Sequence, residues 1–148
     1  MQFHLAASVL VPPTTALDTV RARLDDLAAR PDAYLAAGTR IDLGLAAARD
    51  VLAAHPRPAA RPIVVVLTDG VLPESLYEAA LEVARDAREG HGAAIYTVGL
   101  GTLFDARLLE AVAGRPERFA PVVEPAALAG VMRGMAQAAV CEDDGGAP

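Results

Sequence analysis

Ile63-Val64-Val65-Val66-Leu67-Thr68-Asp69-Gly70 is the stretch on which the fold turns. Five apolar residues, four of them β-branched, run without a polar partner face, the pattern of a strand covered on both sides as parallel strands are. The expectation is a central strand, broken sharply by Thr68-Asp69-Gly70. Downstream, Leu76, Ala79, Ala80, Val83, Ala84 and Ala87 recur at helical spacing and stop at Gly90-His91-Gly92. Ala93 to Val98 reads as a second apolar strand ended by Gly99-Leu100-Gly101. Asp105 is placed to cap a helix through Leu108, Leu109 and Val112 that ends at Gly114. Phe119 to Val123 reads as a last strand before a helix from Pro125 to Ala139.

Upstream, Met1 to Leu5 and Ala7 to Val11 are short extended stretches able to form one hairpin, the second ending at Pro12-Pro13. Leu17, Val20, Leu24 and Leu27 mark a helix ending near Pro31, with Thr15 and Asp18 spaced as a capping pair. A loop through Gly38 leads to a second helix carrying Ile41, Leu45, Ala48 and Leu52 and closed by His55-Pro56. Strand and helix alternate throughout. Such alternation calls for right-handed crossovers and an α/β architecture, a mostly parallel sheet layered between helices. One domain over residues 1–140 and a loose tail over 141–148 are expected.

Composition narrows the partners. The 148 residues carry 13 basic and 19 acidic side chains, a net charge of -6, which argues against an electrostatic grip on nucleic acid or anionic lipid. All 13 basic residues are Arg. The apolar run of Ile63 to Leu67 is far short of the roughly 20 residues that cross a bilayer, so no membrane span is expected. Met1-Gln2-Phe3-His4 has neither the basic region nor the cleavage site of a signal peptide, which leaves a cytosolic reading of the chain as it stands. The single Cys141 has no partner for an internal disulfide.

Ligand crevices of open α/β sheets lie beyond the carboxyl ends of the strands, and two segments are placed there. Thr68-Asp69-Gly70 sets a carboxylate directly after the apolar strand. An Asp at that point is a metal or catalytic group, or an ordinary turn or cap residue. Gly38-Thr39-Arg40-Ile41-Asp42-Leu43-Gly44-Leu45 sets a Thr before a helix, where an N-cap is the plain alternative. Arg40 is able to meet an acidic partner or simply to be solvated. Other chemistry is weaker. Gly99-Leu100-Gly101 lacks the third glycine of a dinucleotide loop, Ser8 and Ser75 lie in no nucleophile turn, and His4, His55 and His91 are scattered along the chain.

Taken together, these segments resemble the von Willebrand factor type A family. The loop Gly38 to Leu45 matches the family pattern Gly-Thr-x-Ile-x-x-Gly-Leu, and Thr68-Asp69-Gly70 matches its Thr-Asp-Gly turn. Ile95-Tyr96-Thr97-Val98-Gly99-Leu100-Gly101, Asp105 to Leu109 with Phe119, and the hairpin Gln2-Phe3 with Val9 to Pro12 are similar to the family's other strands and loops. The resemblance runs from Met1 to about Ala139. It implies a three-layer, Rossmann-like fold, a mostly parallel sheet with one antiparallel edge strand and helices on both faces. It also implies a protein-binding module, not an enzyme, with a metal-ion-dependent adhesion site to which Thr39 and Asp69 contribute. The ion would be Mg²⁺, or Mn²⁺ or Ca²⁺, and the partner a protein reaching the metal through an acidic residue.

One family element is absent from the sequence. There is no Asp-x-Ser-x-Ser, and Ser8 and Ser75 are the only serines. By the family's layout Met1 falls inside the second strand, so a start assigned too far downstream, or a fragment, is expected. A hydroxyl and one carboxylate leave most of an octahedral shell to water, so weak metal binding is expected. A sheet without its first strand would leave Ile63 to Leu67 unpaired on one side. Pairing with Met1 to Leu5, or a homodimer through the exposed edge, would compensate. The competing functions are a hydrolase using Asp69 and a structural remnant without ligand. The compartment stays open, because the family occurs both on cell surfaces and inside cells.

Overall fold

The computed structural model describes residues 1–30, 38–57 and 60–143. The chain opens with a short antiparallel hairpin, β1 (Gln2–Phe3) and β2 (Ala7–Ser8). Helix α1 (Leu17–Ala29) and helix α2 (Ile41–Ala54) follow. The order then becomes β3 (Ile63–Thr68), α3 (Tyr77–Glu89), β4 (Ala94–Leu100), α4 (Ala106–Ala113), β5 (Phe119–Val122) and α5 (Leu128–Asp143). Strands β3, β4 and β5 form one parallel sheet in that order, with Val65 opposite Tyr96 and Thr97 opposite Phe119. Residues 31–37, including the expected helix stop at Pro31, lie outside the described residues, as do 144–148.

The layers follow from the alternation of side chains along β3 and β4. Val64, Val66 and Ile95 pack with Ile41 and Leu45 of α2, Ala80 and Ala84 of α3, and Leu108, Leu109 and Val112 of α4. Ala94 and Tyr96 point the other way, against Met135 and Ala139 of α5. Helices therefore cover both faces, and the α/β class holds. The α3 face is short-chained, with three buried alanines at Ala80, Ala84 and Ala87, which lets α3 pack closely. Thr97, fully buried on β4, satisfies its hydroxyl by donating to the Leu109 carbonyl at 3.0 Å.

Four expectations change. Ile63 to Leu67 is an edge rather than the central strand, and β4 takes the centre. Helix α5 covers β4 and β5 but stops short of β3, so Ile63, Val65 and Leu67 stay 48%, 40% and 40% exposed on that face. The hairpin does not enter the main sheet. It pairs only with itself, over Gln2 with Ser8 and Phe3 with Ala7, because Phe3 is drawn instead onto α2, where its ring lies against Gly44. Helix α1 starts at Leu17 without a side-chain cap, since the hydroxyl used at this end is that of Thr14, which accepts from the Ala16 amide at 3.0 Å, not that of Thr15. At the other end of the chain, α5 continues through Asp143, so the tail expected from residue 141 begins inside a helix.

The capping at α4 is as read. Asp105 accepts from the Leu108 amide at 3.0 Å, and Gly114 closes the helix at φ +76°, a left-handed conformation that suits glycine.

Candidate metal and partner site

The carboxyl end of β3 carries the candidate site. Thr68, buried, turns the chain with its hydroxyl accepting from the Gly70 amide at 3.3 Å. Asp69 is thereby lifted out of the strand and exposed. Gly70 faces Thr39 so closely that a Cβ there would fall on the Thr39 hydroxyl oxygen. The glycine of Thr-Asp-Gly is thus required by close approach, and that approach joins two segments 31 positions apart. Thr39 and Asp69 line one cavity of about 490 Å³ with Gln2, His4, Val65 and Leu67.

The Thr39 segment is held from below. Gly38 turns the chain at φ +97°, and a Cβ there would strike the Leu5 side chain. The Arg40 amide donates to the His4 carbonyl at 2.9 Å, fastening the loop to the hairpin. The Arg40 guanidinium reaches forward to Asp42 with two bonds of 2.8 and 2.7 Å, a forked pairing in which the carboxylate is buried. That pairing holds the Asp42 carboxyl below its ordinary range, against the opposing effect of burial. Arg40 is therefore neither simply solvated nor poised for a partner; it organises the first turn of α2. Gly44, one turn on, has no room for a Cβ, which would fall 2.8 Å from the Phe3 ring. Each glycine of the Gly-Thr-x-Ile-x-x-Gly-Leu stretch has a packing reason.

His4 was not legible as a site residue. The hairpin brings it to the cavity that holds Thr39 and Asp69, with its Nδ1 buried and unpartnered among the described residues. Nothing local in Met1-Gln2-Phe3-His4 announces this; the contact is made by a loop more than 30 residues later. Among the described residues no three His, Cys, Asp or Glu side chains converge as a metal cluster. The oxygen donors present, one hydroxyl and one exposed carboxylate, fit part of a hard-cation shell, with water completing it.

Helices on both faces of a parallel sheet, with a Thr loop meeting an Asp turn at the strands' carboxyl ends, define a three-layer α/β domain. Its family is identified by sequence: residues 2–132 match the model of the von Willebrand factor type A domain, and the chain belongs to that family. A search of curated proteins finds no match. Among solved structures the chain is similar to proximal thread matrix protein 1 from the mussel byssus. In the form with a zinc-occupied MIDAS motif the TM-score is 0.73 at 20% identity, over 90% of this chain and 32% of that one. A second crystal form gives 0.70 at 19% identity, over the same shares. The chain thus spans about a third of those proteins' length, and the likeness shows the fold. No helix among the described residues is long and apolar enough to cross a membrane.

Proposed function

We propose that the chain is a protein-binding module with a partial metal-ion-dependent adhesion site, in which Thr39 and Asp69 contribute to holding a divalent cation. The observation that carries this reading is the seat of the Thr39 hydroxyl on Gly70, which gathers hydroxyl and carboxylate into one cavity. Asp69 would supply the negative charge, Thr39 a neutral oxygen, and water the remaining positions. A bound cation would leave a coordination position for an acidic side chain of the partner. Mg²⁺ is the leading ion, with Mn²⁺ or Ca²⁺ as alternatives. Affinity in the range of roughly 10⁻⁴ to 10⁻³ M or weaker suits so few protein ligands. The zinc-occupied motif of the mussel protein supports a divalent ion in this fold without choosing it.

Isothermal titration with MgCl₂ and MnCl₂ tests the site. The expected result is weak saturable binding that disappears in both Asp69→Ala and Thr39→Ala. Binding unchanged in the two variants would overturn it.

The same module has a second association surface in the proposal. The open edge of β3, with Ile63, Val65 and Leu67 exposed beside it, supports pairing with a second copy of the chain.

A further inference from the structure

Each strand of the parallel sheet passes into a loop at the same end of the molecule, and each of those loops exposes one large apolar side chain. Val71, two residues beyond Asp69, is 53% exposed, Leu103 after β4 is 74% exposed and Val123 after β5 is 61% exposed. Single apolar residues scattered over a surface are ordinary. These three fall in adjacent loops, because Thr68 lies opposite Gly99, and Leu100 opposite Val122, in the ladders that precede them. The row begins beside Asp69, the exposed carboxylate of the candidate metal site.

The loop that carries Leu103 is held at both ends. Gly101 turns it at φ +73° and donates its amide to the Val122 carbonyl at 2.8 Å, tying it to the end of β5. On the other side, the Phe104 ring takes the space that a Cβ on Gly99 would fill, and it meets the Phe119 ring edge-on with centroids 6.0 Å apart. The exposure of Leu103 is therefore not fraying. A fixed backbone presents the side chain, so covering it with a partner removes apolar surface from water with little loop ordering to offset the gain. Charge adds a direction. The chain's net charge of -6 repels an acidic partner, so an acidic residue arrives where a cation bridges it to Asp69.

We infer that this rim is the specificity-determining half of the partner site: it takes an extended segment of a protein in which an acidic residue is followed, two or three positions on, by apolar residues, with Leu103 as the principal contact. The spacing follows from the sheet. Neighbouring strands lie about 4.8 Å apart, so the loops after β4 and β5 stand about 5 to 10 Å across the rim from Asp69, the reach of two to three residues of extended chain at about 3.3 Å each. The acidic half of this recognition rests on the metal reading of Asp69, whereas the apolar half is read separately.

Three end-capped synthetic peptides are the probes, titrated into the isotope-labelled chain with excess MgCl₂ and followed by amide chemical shifts. The first is Gly-Ser-Glu-Ser-Leu-Leu-Ser-Gly, the second has both leucines replaced by serine, and the third has the glutamate replaced by glutamine. Saturable shifts at Asp69, Leu103 and Val123 are expected with the first, at an affinity at least about fivefold above that of the serine peptide. Leu103→Ser should erase that difference while leaving the calorimetric Mg²⁺ response of the parent chain, since a substitution at so exposed a position leaves the fold intact. Leu103→Met should keep the difference. The glutamine peptide, and the first peptide after chelation of Mg²⁺ with EDTA, should each bind more weakly by a similar factor. A leucine preference that persists without Mg²⁺ and still vanishes in Leu103→Ser would uphold the rim and remove the metal reading. Equal, Mg²⁺-dependent binding of the leucine and serine peptides would uphold the metal reading and overturn this inference. So would shifts mapping elsewhere, binding by neither peptide, or concentration-dependent shifts at Leu103 in the chain alone, which would put a second copy on the rim.

Discussion

Gly70 is the residue on which the candidate site depends most directly. Its missing Cβ is what lets the Thr39 hydroxyl close over the Thr68 turn. Gly70→Ala should push the two loops apart at a cost of about 1 to 3 kcal/mol, as overpacking does, and abolish the weak Mg²⁺ response; calorimetry and thermal denaturation of the variant check both parts. Tyr77 and Asp105 form a second residue-scale pair. The Tyr77 hydroxyl donates to the Asp105 carboxylate at 2.5 Å, and this bond, with some burial, pushes the phenol up to about 12 while the carboxyl is drawn below its ordinary range. Near-ultraviolet titration should show one late-ionising tyrosine that vanishes in Tyr77→Phe and returns to the ordinary range in Asp105→Asn. Asp105→Ala removes both this bond and the α4 cap, and should cost on the order of 1 to 2 kcal/mol in urea denaturation. Asp105 was readable as a cap because the cap and the helix are neighbours in sequence. Its bond to Tyr77, like the place of His4 beside Thr39, joins residues whose proximity only the tertiary fold creates.

At the level of elements, helices and strands were legible from apolar spacing, and so was the parallel alternation. What could not be read was which strand lies at the edge. Ile63 to Leu67 is the more apolar run, since Ala94 to Val98 carries Tyr96 and Thr97, so composition points to the wrong strand and the choice between centre and edge depends on how far α5 reaches across the sheet. Helix α5 ends its coverage at Tyr96 and leaves Val65, its neighbour in register, open. The hairpin escaped the reading for a related reason: its two extended runs fit a sheet, but Phe3 gains more by packing on Gly44 than its strand gains by joining β3. The open β3 edge carries a prediction of its own. Val65→Lys places a charge on the exposed face without touching the α2–α4 core, and a charged edge resists pairing. Analytical ultracentrifugation should show the parent chain self-associating with concentration and the Val65→Lys variant remaining monomeric. A parent chain that is monomeric at all concentrations would remove the edge-pairing proposal.

For the molecule as a whole, acid is the condition that separates its electrostatic supports from its apolar ones. Asp42, through Arg40, and Asp105, through Tyr77, have folded-state carboxyls held below the unfolded value of about 3.9. A depressed carboxyl contributes stability that is present above the unfolded value and lost as pH falls through the folded one. Melting temperature should therefore hold nearly level from about pH 7 to 5 and drop below about pH 4. The double variant Asp42→Asn with Asp105→Asn should start lower and show a shallower acid limb, measured by circular dichroism. The core beneath is less sensitive to pH: Ile95→Ala, at a fully buried position on β4, should cost about 2 to 5 kcal/mol across that range. The one-sided sheet also leaves a signature in time. From Thr97 onward every amide of β4 faces a neighbour on one side or the other, whereas every second amide of β3 faces away from the ladder, so deuterium should enter β3 at alternate residues within the folded state while Thr97 to Leu100 of β4 wait for global opening.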